Sequence, residues 1–202
     1  MSRESIKNTL SLTLITVIAG LLLGLVYEVT KEPIANEKQR AKEEAYKTVF
    51  ADAASFDEMQ LDEEIIKNIK EEGYDADINE VMAALSAGGD AAGYVLTVTD
   101  HEGYGGDITF AMGVKNDGTL TGISFLSIGE TAGLGMKATE DAFKEQFKNK
   151  NVKKFVYTKS DAKAEDEIDA LSGATITTNA VTNGVNAGLY YTDAIKQINL
   201  DN

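Results

Sequence analysis

Residues 10–27 (Leu-Ser-Leu-Thr-Leu-Ile-Thr-Val-Ile-Ala-Gly-Leu-Leu-Leu-Gly-Leu-Val-Tyr) carry no charge, and this constrains the chain more than any other stretch. From Thr9 to Val26 the run is about 18 residues, close to the roughly 20 that cross a bilayer as a helix. It is apolar on all faces and too long for an ordinary buried core helix. No small-x-small site follows it, which favours a retained anchor over a cleaved signal peptide. Tyr27 sits where an interfacial aromatic belongs. Arg3, Lys7 and the α-amino group precede the span, and Glu28, Lys31 and Glu32 follow it. The positive-inside rule then predicts a single-pass protein of the cell membrane, N-terminus cytoplasmic and the bulk of the chain extracytoplasmic.

After a head at 1–8 and a span at 9–28, the segment 29–80 reads as a helical stalk followed by a further helical segment. Pro33 should end or kink the first helix, or stand at the first position of a new one. Ala41, Ala45 and Val49 recur every four residues in a charged helical pattern from Ala35 to Phe50. An acidic stretch follows, helical near Leu61–Ile69, and the small residues from Ala83 to Ala92 read as a loop. Then strands begin. Gly93–Thr99 is β-branched, Asp107–Val114 alternates with Ile108, Phe110, Met112 and Val114 on one face, and Thr119–Ile128 follows the Asn116-Asp117-Gly118 turn. These predict an antiparallel meander, with Val152–Thr158 as a fourth strand. Phe143 and Phe147 suit a helix over Thr139–Lys148. A last helix is predicted from about Thr178 to Ile198, with Val181, Val185, Leu189 and Ile195 facing the sheet and Gly184 and Gly188 allowing close packing. The expected fold class is α+β, with one N-terminal transmembrane helix before an antiparallel-sheet domain over 81–202.

A formal net charge of -14 argues against nucleic acid as a partner. With no cysteine, iron–sulfur clusters, thiolate zinc sites and CxxCH haem attachment are excluded. His101 is the only histidine, so a histidine-ligated metal or a Ser-His-Asp triad would rest on it alone. His101-Glu102 in a glycine-rich loop reads as a solvated pair, and no metal site is expected. No GxGxxG opens a βαβ unit. If this chain moves electrons, its cofactor is organic.

Asp169-Ala170-Leu171-Ser172-Gly173-Ala174-Thr175 leads into the last helix. Gly173 allows a tight turn, Ser172 and Ala174 keep the surroundings of Thr175 open, and Thr177, Thr178 and Asn179 are candidate caps. The free N–H groups of the following helix favour an anion, so a phosphate beside Thr175 would be well placed. Tyr104-Gly105-Gly106 and Glu130-Thr131-Ala132-Gly133-Leu134-Gly135-Met136-Lys137 lie at strand ends and could converge on the same rim, as a flat ring held by backbone requires.

Asp-x-x-Ser-Gly-Ala-Thr resembles the flavinylation motif of the FMN-binding domain family, and Glu-Thr-x-Gly-Leu-Gly and Gly-Tyr-Gly-Gly (103–106) match it in the family's order. The span and its Thr-Lys-Glu-Pro-Ile exit extend the likeness over most of the chain. The closest resemblance is to the G subunits of Rnf complexes, ion-translocating ferredoxin:NAD+ oxidoreductases. The C subunits of the sodium-pumping NADH:quinone oxidoreductase share the motif and the topology. Proline is expected where this chain has Ala132. The resemblance implies FMN joined to Thr175 by a phosphoester that a flavin transferase makes. Asp169, Ser172, Gly173 and Ala174 would serve recognition, and Glu130, Thr131, Gly133, Leu134, Gly135, Lys137, Tyr104, Gly105 and Gly106 are further candidate contacts. It also implies an electron-transfer subunit, partnered by the membrane and peripheral subunits of the complex, with no catalytic triad or NAD site of its own and with Na+ or H+ as the coupled ion. The alternative from another class is a tethered scaffold without redox activity. A hydrolase using Ser172 or Thr175 lacks a base.

Overall fold

The computed structural model describes residues 2–159 and 161–200. The outermost residues of the expected 1–8 and 81–202 segments, and residue 160, lie outside the described residues. The chain divides into two compact units, Met1–Ala41 and Lys42–Asn202.

Most of the first unit belongs to a long helix, α1 (Arg3–Val49). Leu10, Leu12, Leu14, Ile15, Leu21, Leu22, Leu23 and Leu25 are all exposed, so the apolar stretch of this helix is not covered by protein. A helix apolar all round with nothing to bury against fits a bilayer. Its hydroxyls are satisfied internally: Thr9, Thr13 and Thr16 each donate to the carbonyl four residues back at 2.9 Å. The helix does not end at Pro33, nor does a new one begin there. One proline removes one N–H from a long ladder, and the other turns hold.

The second unit is built on a five-stranded antiparallel sheet in sequential order: β1 (Ser55–Met59), β2 (Ala76–Leu85), β3 (Ala91–Asp100), β4 (Ile108–Lys115) and β5 (Leu120–Ser127). The meander of the last three strands is as the sequence predicts. Asp117 Oδ1 accepts from the Thr119 amide, and Gly118 takes φ +94 in the hairpin turn. β1 and β2 are additions. The sheet reaches back into the segment read as helical and takes in part of the expected 83–92 loop. The helix between them, α2 (Glu63–Glu71), is capped by Asp62, whose carboxylate accepts from the amides of Glu64 and Ile65.

Strand alternation gives the sheet two buried faces. Leu96, Val98, Phe110, Met112 and Val114 face α4 (Thr175–Leu200), which packs them with Ala180, Val181, Val185 and Leu189. Gly184 and Gly188 let it approach: a Cβ on Gly184 would lie 2.9 Å from the Phe110 ring. On the other face Val95, Ala111 and Ala84 meet Ala45, Tyr46, Val49 and Phe50 from the end of α1. Gly113 is bare because a Cβ there would stand 2.6 Å from the Val49 carbonyl oxygen. Tyr46 reaches Glu80 and Thr97 through its hydroxyl, at 2.6 Å each, and burial together with the Glu80 carboxylate pushes its pKa up.

The expected strand at Val152–Thr158 shrinks to β6 (Val156–Thr158), which pairs in parallel with β7 (Glu167–Asp169) away from the meander. Phe155 goes to the core, and its backbone N–H and carbonyl are both satisfied by the Asn186 side chain of α4. The expected helix at 139–148 is only α3 (Asp141–Lys144) followed by a 3-10 turn. Its two phenylalanines still pack edge to face at 5.5 Å.

Candidate functional site

Antiparallel order brings the β3–β4 connection, the segment leaving β5 and the N-terminus of α4 to one rim of the sheet. There Tyr104, Glu130, Thr131, Leu134, Gly135, Gly173, Ala174 and Thr175, with Ile176 and Thr177, line a cleft of about 570 Å3. That is within the size range of small-ligand sites. The three segments singled out by motif therefore meet, and the Thr175 side chain is half-exposed in the wall.

The helix start explains the motif's residue types. The Ala174 amide donates to Leu171 O at 2.9 Å, closing a turn with Gly173 at φ +76. The ladder of α4 opens with Thr178 N to Ala174 O at 3.0 Å, so Thr175 is the first helical residue. The caps predicted at Thr177, Thr178 and Asn179 are thus inside the helix. Thr178 Oγ1 accepts from the Leu171 amide and donates to Ala174 O, which braces the turn. The cap position falls to Ala174, whose side chain can accept nothing. The amides of Thr175, Ile176 and Thr177 lack intrahelical acceptors by helix geometry and point, with the helix dipole, toward the start of α4.

Glu130 is the charged side chain among the lining residues. It is 8% exposed, and its Oε1 has no hydrogen-bond partner among the described residues. Gly135 lies against it: a Cβ there would stand 2.7 Å from Glu130 Oε2 and 2.6 Å from Thr177 Oγ1. Gly135→Ala should therefore push both side chains into the cleft. Overpacking of this kind costs on the order of 1–3 kcal/mol, and a thermal melt of the full chain should show a fall in Tm of several degrees. The mouth is apolar, with Tyr104, Leu134 and Ile176 all exposed there. An anion seat of free amides, one unpartnered acceptor and an apolar mouth fit a phosphorylated ligand with a polar chain and a planar ring.

The other candidates stand outside the lining. Gly105 packs against the backbone of Gly129 and Glu130 and so sets the wall from behind. Gly106 (φ +101) and Gly133 (φ +77) shape their loops. Ser172 is exposed on the turn, and Lys137 lies exposed in a 3-10 turn (Gly135–Thr139). Asp169 closes β7: its carboxylate accepts from the Ala162 amide at 2.7 Å, and its own amide donates to Gln146 Oε1 at 2.7 Å. The sequence reading passes over Ile176 and marks Thr177 only as a helix cap, yet both line the cleft. Placing the helix start two or three residues earlier would have put them in its open first turn. His101 is more than a solvated side chain, since its ring bridges Asp107 (2.9 Å) and Asp77 (3.1 Å), which raise its pKa. Glu102 accepts from Asn183 at 2.6 Å.

Residues 103–190 match the family model described as the FMN-binding domain, and residues 1–49 match the RnfG N-terminal region. The chain is 31% identical to the G subunit of the proton-translocating ferredoxin:NAD(+) oxidoreductase complex of Clostridium ljungdahlii, covering 92% of each chain. It is 32% identical to the G subunit of the Na(+)-translocating ferredoxin:NAD(+) oxidoreductase complex of Acetobacterium woodii, over 91% of this chain and 89% of that one. The crystal structure of Shewanella oneidensis NqrC superposes with a TM-score of 0.49 at 19% identity, covering 74% of this chain and 72% of that chain.

Proposed function

This chain belongs to the family of G subunits of ion-translocating ferredoxin:NAD(+) oxidoreductase complexes, and from that membership we propose that it is the membrane-anchored electron carrier of such a complex, with FMN joined through a phosphoester to Thr175. When bound, FMN supplies reversible electron acceptance, and the protein supplies position and polarity. Thr175 is an attachment point and not a nucleophile in turnover. The amides of Thr175, Ile176 and Thr177 would hold the phosphate, and Leu134, Ile176 and Tyr104 would cover the ring at the cleft mouth.

The observation that carries this reading is the Thr175 hydroxyl, half-exposed beside an uncapped helix start. The covalent bond answers a physical need. No lysine or arginine is among the residues lining the cleft, and the chain carries a net charge of -14. Amides alone would hold a dianion weakly against that field, whereas an ester does not dissociate. A flavin transferase is the partner required to make it, recognising the exposed turn around Ser172 and Gly173. The electron partners are the other subunits of the complex. The N-terminus lies in the cytoplasm and the flavin domain outside, by the charges flanking the span. The relatives matched along the chain are G subunits, which supports this reading over the C-subunit alternative. They differ in coupling ion, one named for protons and one for Na+.

The test is redox. Full-length protein co-expressed with a flavin transferase and purified in detergent should be yellow, bleach on reduction with dithionite and recover its colour in air. A colourless product from cells in which the transferase modifies a known acceptor would overturn the reading.

A further inference from the structure

We propose that Glu130 is the hydrogen-bond acceptor for the ribityl hydroxyls of the flavin chain, an assignment that rests on the FMN reading of the cleft. Glu130 is nine-tenths buried, and its Oε1 has no partner among the described residues. A buried polar atom without a partner is destabilising, and for a carboxylate the penalty is larger than for a neutral group. Such an atom persists where something outside the chain completes it. A carboxyl oxygen with free lone pairs is completed by a donor.

Its place decides which donor. The side chain follows Gly129, whose carbonyl packs so close to Gly105 that a Cβ there would meet it. The empty Cβ position of Gly135 is 2.7 Å from Glu130 Oε2 and 2.6 Å from Thr177 Oγ1. The carboxylate therefore stands beside the third residue of α4, two positions beyond the residue that carries the phosphate. In FMN the part that follows the phosphate is the ribityl chain, whose hydroxyls are donors. The imide N–H of the ring is at the far end of the molecule. The amides of the first turn serve the phosphate and the apolar mouth serves the ring, which leaves the polyol for Glu130.

The experiment uses the full-length protein in detergent, made with and without a flavin transferase, as wild type, Glu130→Ala and Glu130→Gln. Intact mass reports attachment and thermal unfolding reports contact. Without flavin Glu130→Ala should melt at or above the wild-type Tm, because an unpartnered buried polar atom is gone. With flavin attached, the rise in Tm should be smaller in Glu130→Ala by roughly 4–8 °C and partly restored in Glu130→Gln, whose amide oxygen still accepts. Attachment lost in the alanine variant but kept in the glutamine variant would support the assignment equally. An undiminished rise in Glu130→Ala would overturn it, as would an equal fall in Tm with and without flavin, the mark of a purely structural side chain. Attachment lost in both variants would also overturn it, making Glu130 part of what the transferase reads. Wild type without any mass gain would sink the flavin reading itself and is distinct from all of these.

Discussion

Thr175→Ala should leave the protein with no flavin that survives denaturation, while Thr175→Ser should keep it. The substitution removes the hydroxyl to which the phosphate is joined and little else. Thr175 is half-exposed at the start of α4 and is not among the buried core residues. Alanine is a better helix former than threonine, so the variant should melt within about 1 kcal/mol of wild type. Serine keeps the hydroxyl on the same Cβ and loses only a methyl. Flavin fluorescence of the band on a denaturing gel separates the three proteins. A fluorescent Thr175→Ala band would place the bond on another side chain, and Ser172 and Thr177 would be the first to examine.

The second large effect concerns stability. Asp100 at the end of β3 is fully buried and its Oδ2 has no hydrogen-bond partner among the described residues. Burial pushes its carboxyl up to about 7, and the Glu102 and Asp75 carboxylates add to the rise, while the Glu102 amide bonded to Oδ1 opposes it. A raised folded-state value means that the folded chain holds this proton more tightly than the unfolded chain does. The resulting stability is full below about pH 4, drains away as the pH rises toward 7, and is gone above it. Asp100→Asn cannot ionise. It should match wild type near pH 4 and exceed it at pH 8 by on the order of 2–4 kcal/mol, with a flatter dependence on pH between. Urea unfolding of the full chain at the two pH values measures this. Equal destabilisation at both would mean that the side chain's shape matters there and its charge does not.

The parts of this fold legible in the sequence are those where one periodicity runs unbroken. In β4 every second residue from Ile108 to Val114 is buried against α4, and the alternation could be read directly. In β2 a register shift between Ile78 and Glu80 breaks the alternation: Ala76 and Ile78 are buried in the main core, and the next residue buried there is Val81, three positions on. With acidic residues at Asp77 and Glu80 the stretch resembles a solvated helix. β1 is an edge strand of Ser-Phe-Asp-Glu-Met with only Phe56 and Met59 half-buried, too little for a pattern. β6 failed for another reason, because Phe155 is satisfied by the side chain of Asn186 and not by a neighbouring strand, and spacing cannot reveal that.

The cleft was legible as motif and illegible as detail. Small residues around a hydroxyl marked Thr175, and the glycine-rich segments marked the rim. The start of α4 was set too late because three hydroxyl and amide residues in a row (Thr177, Thr178, Asn179) look like caps. The true cap position holds alanine, and an alanine there carries no sequence signal. The same position leaves the first-turn amides open to an anion, so the feature that hid the helix start is also the one suited to a phosphate.

The central claim is a covalent phosphoester between FMN and one hydroxyl. The most direct measurement is the intact mass of the full-length protein made with a flavin transferase, followed by the mass of the proteolytic peptide that contains Thr175. The mass should rise by FMN less one water, with the whole gain on that peptide. An unmodified mass in protein that is yellow would contradict the claim, since the flavin would then be held without a bond.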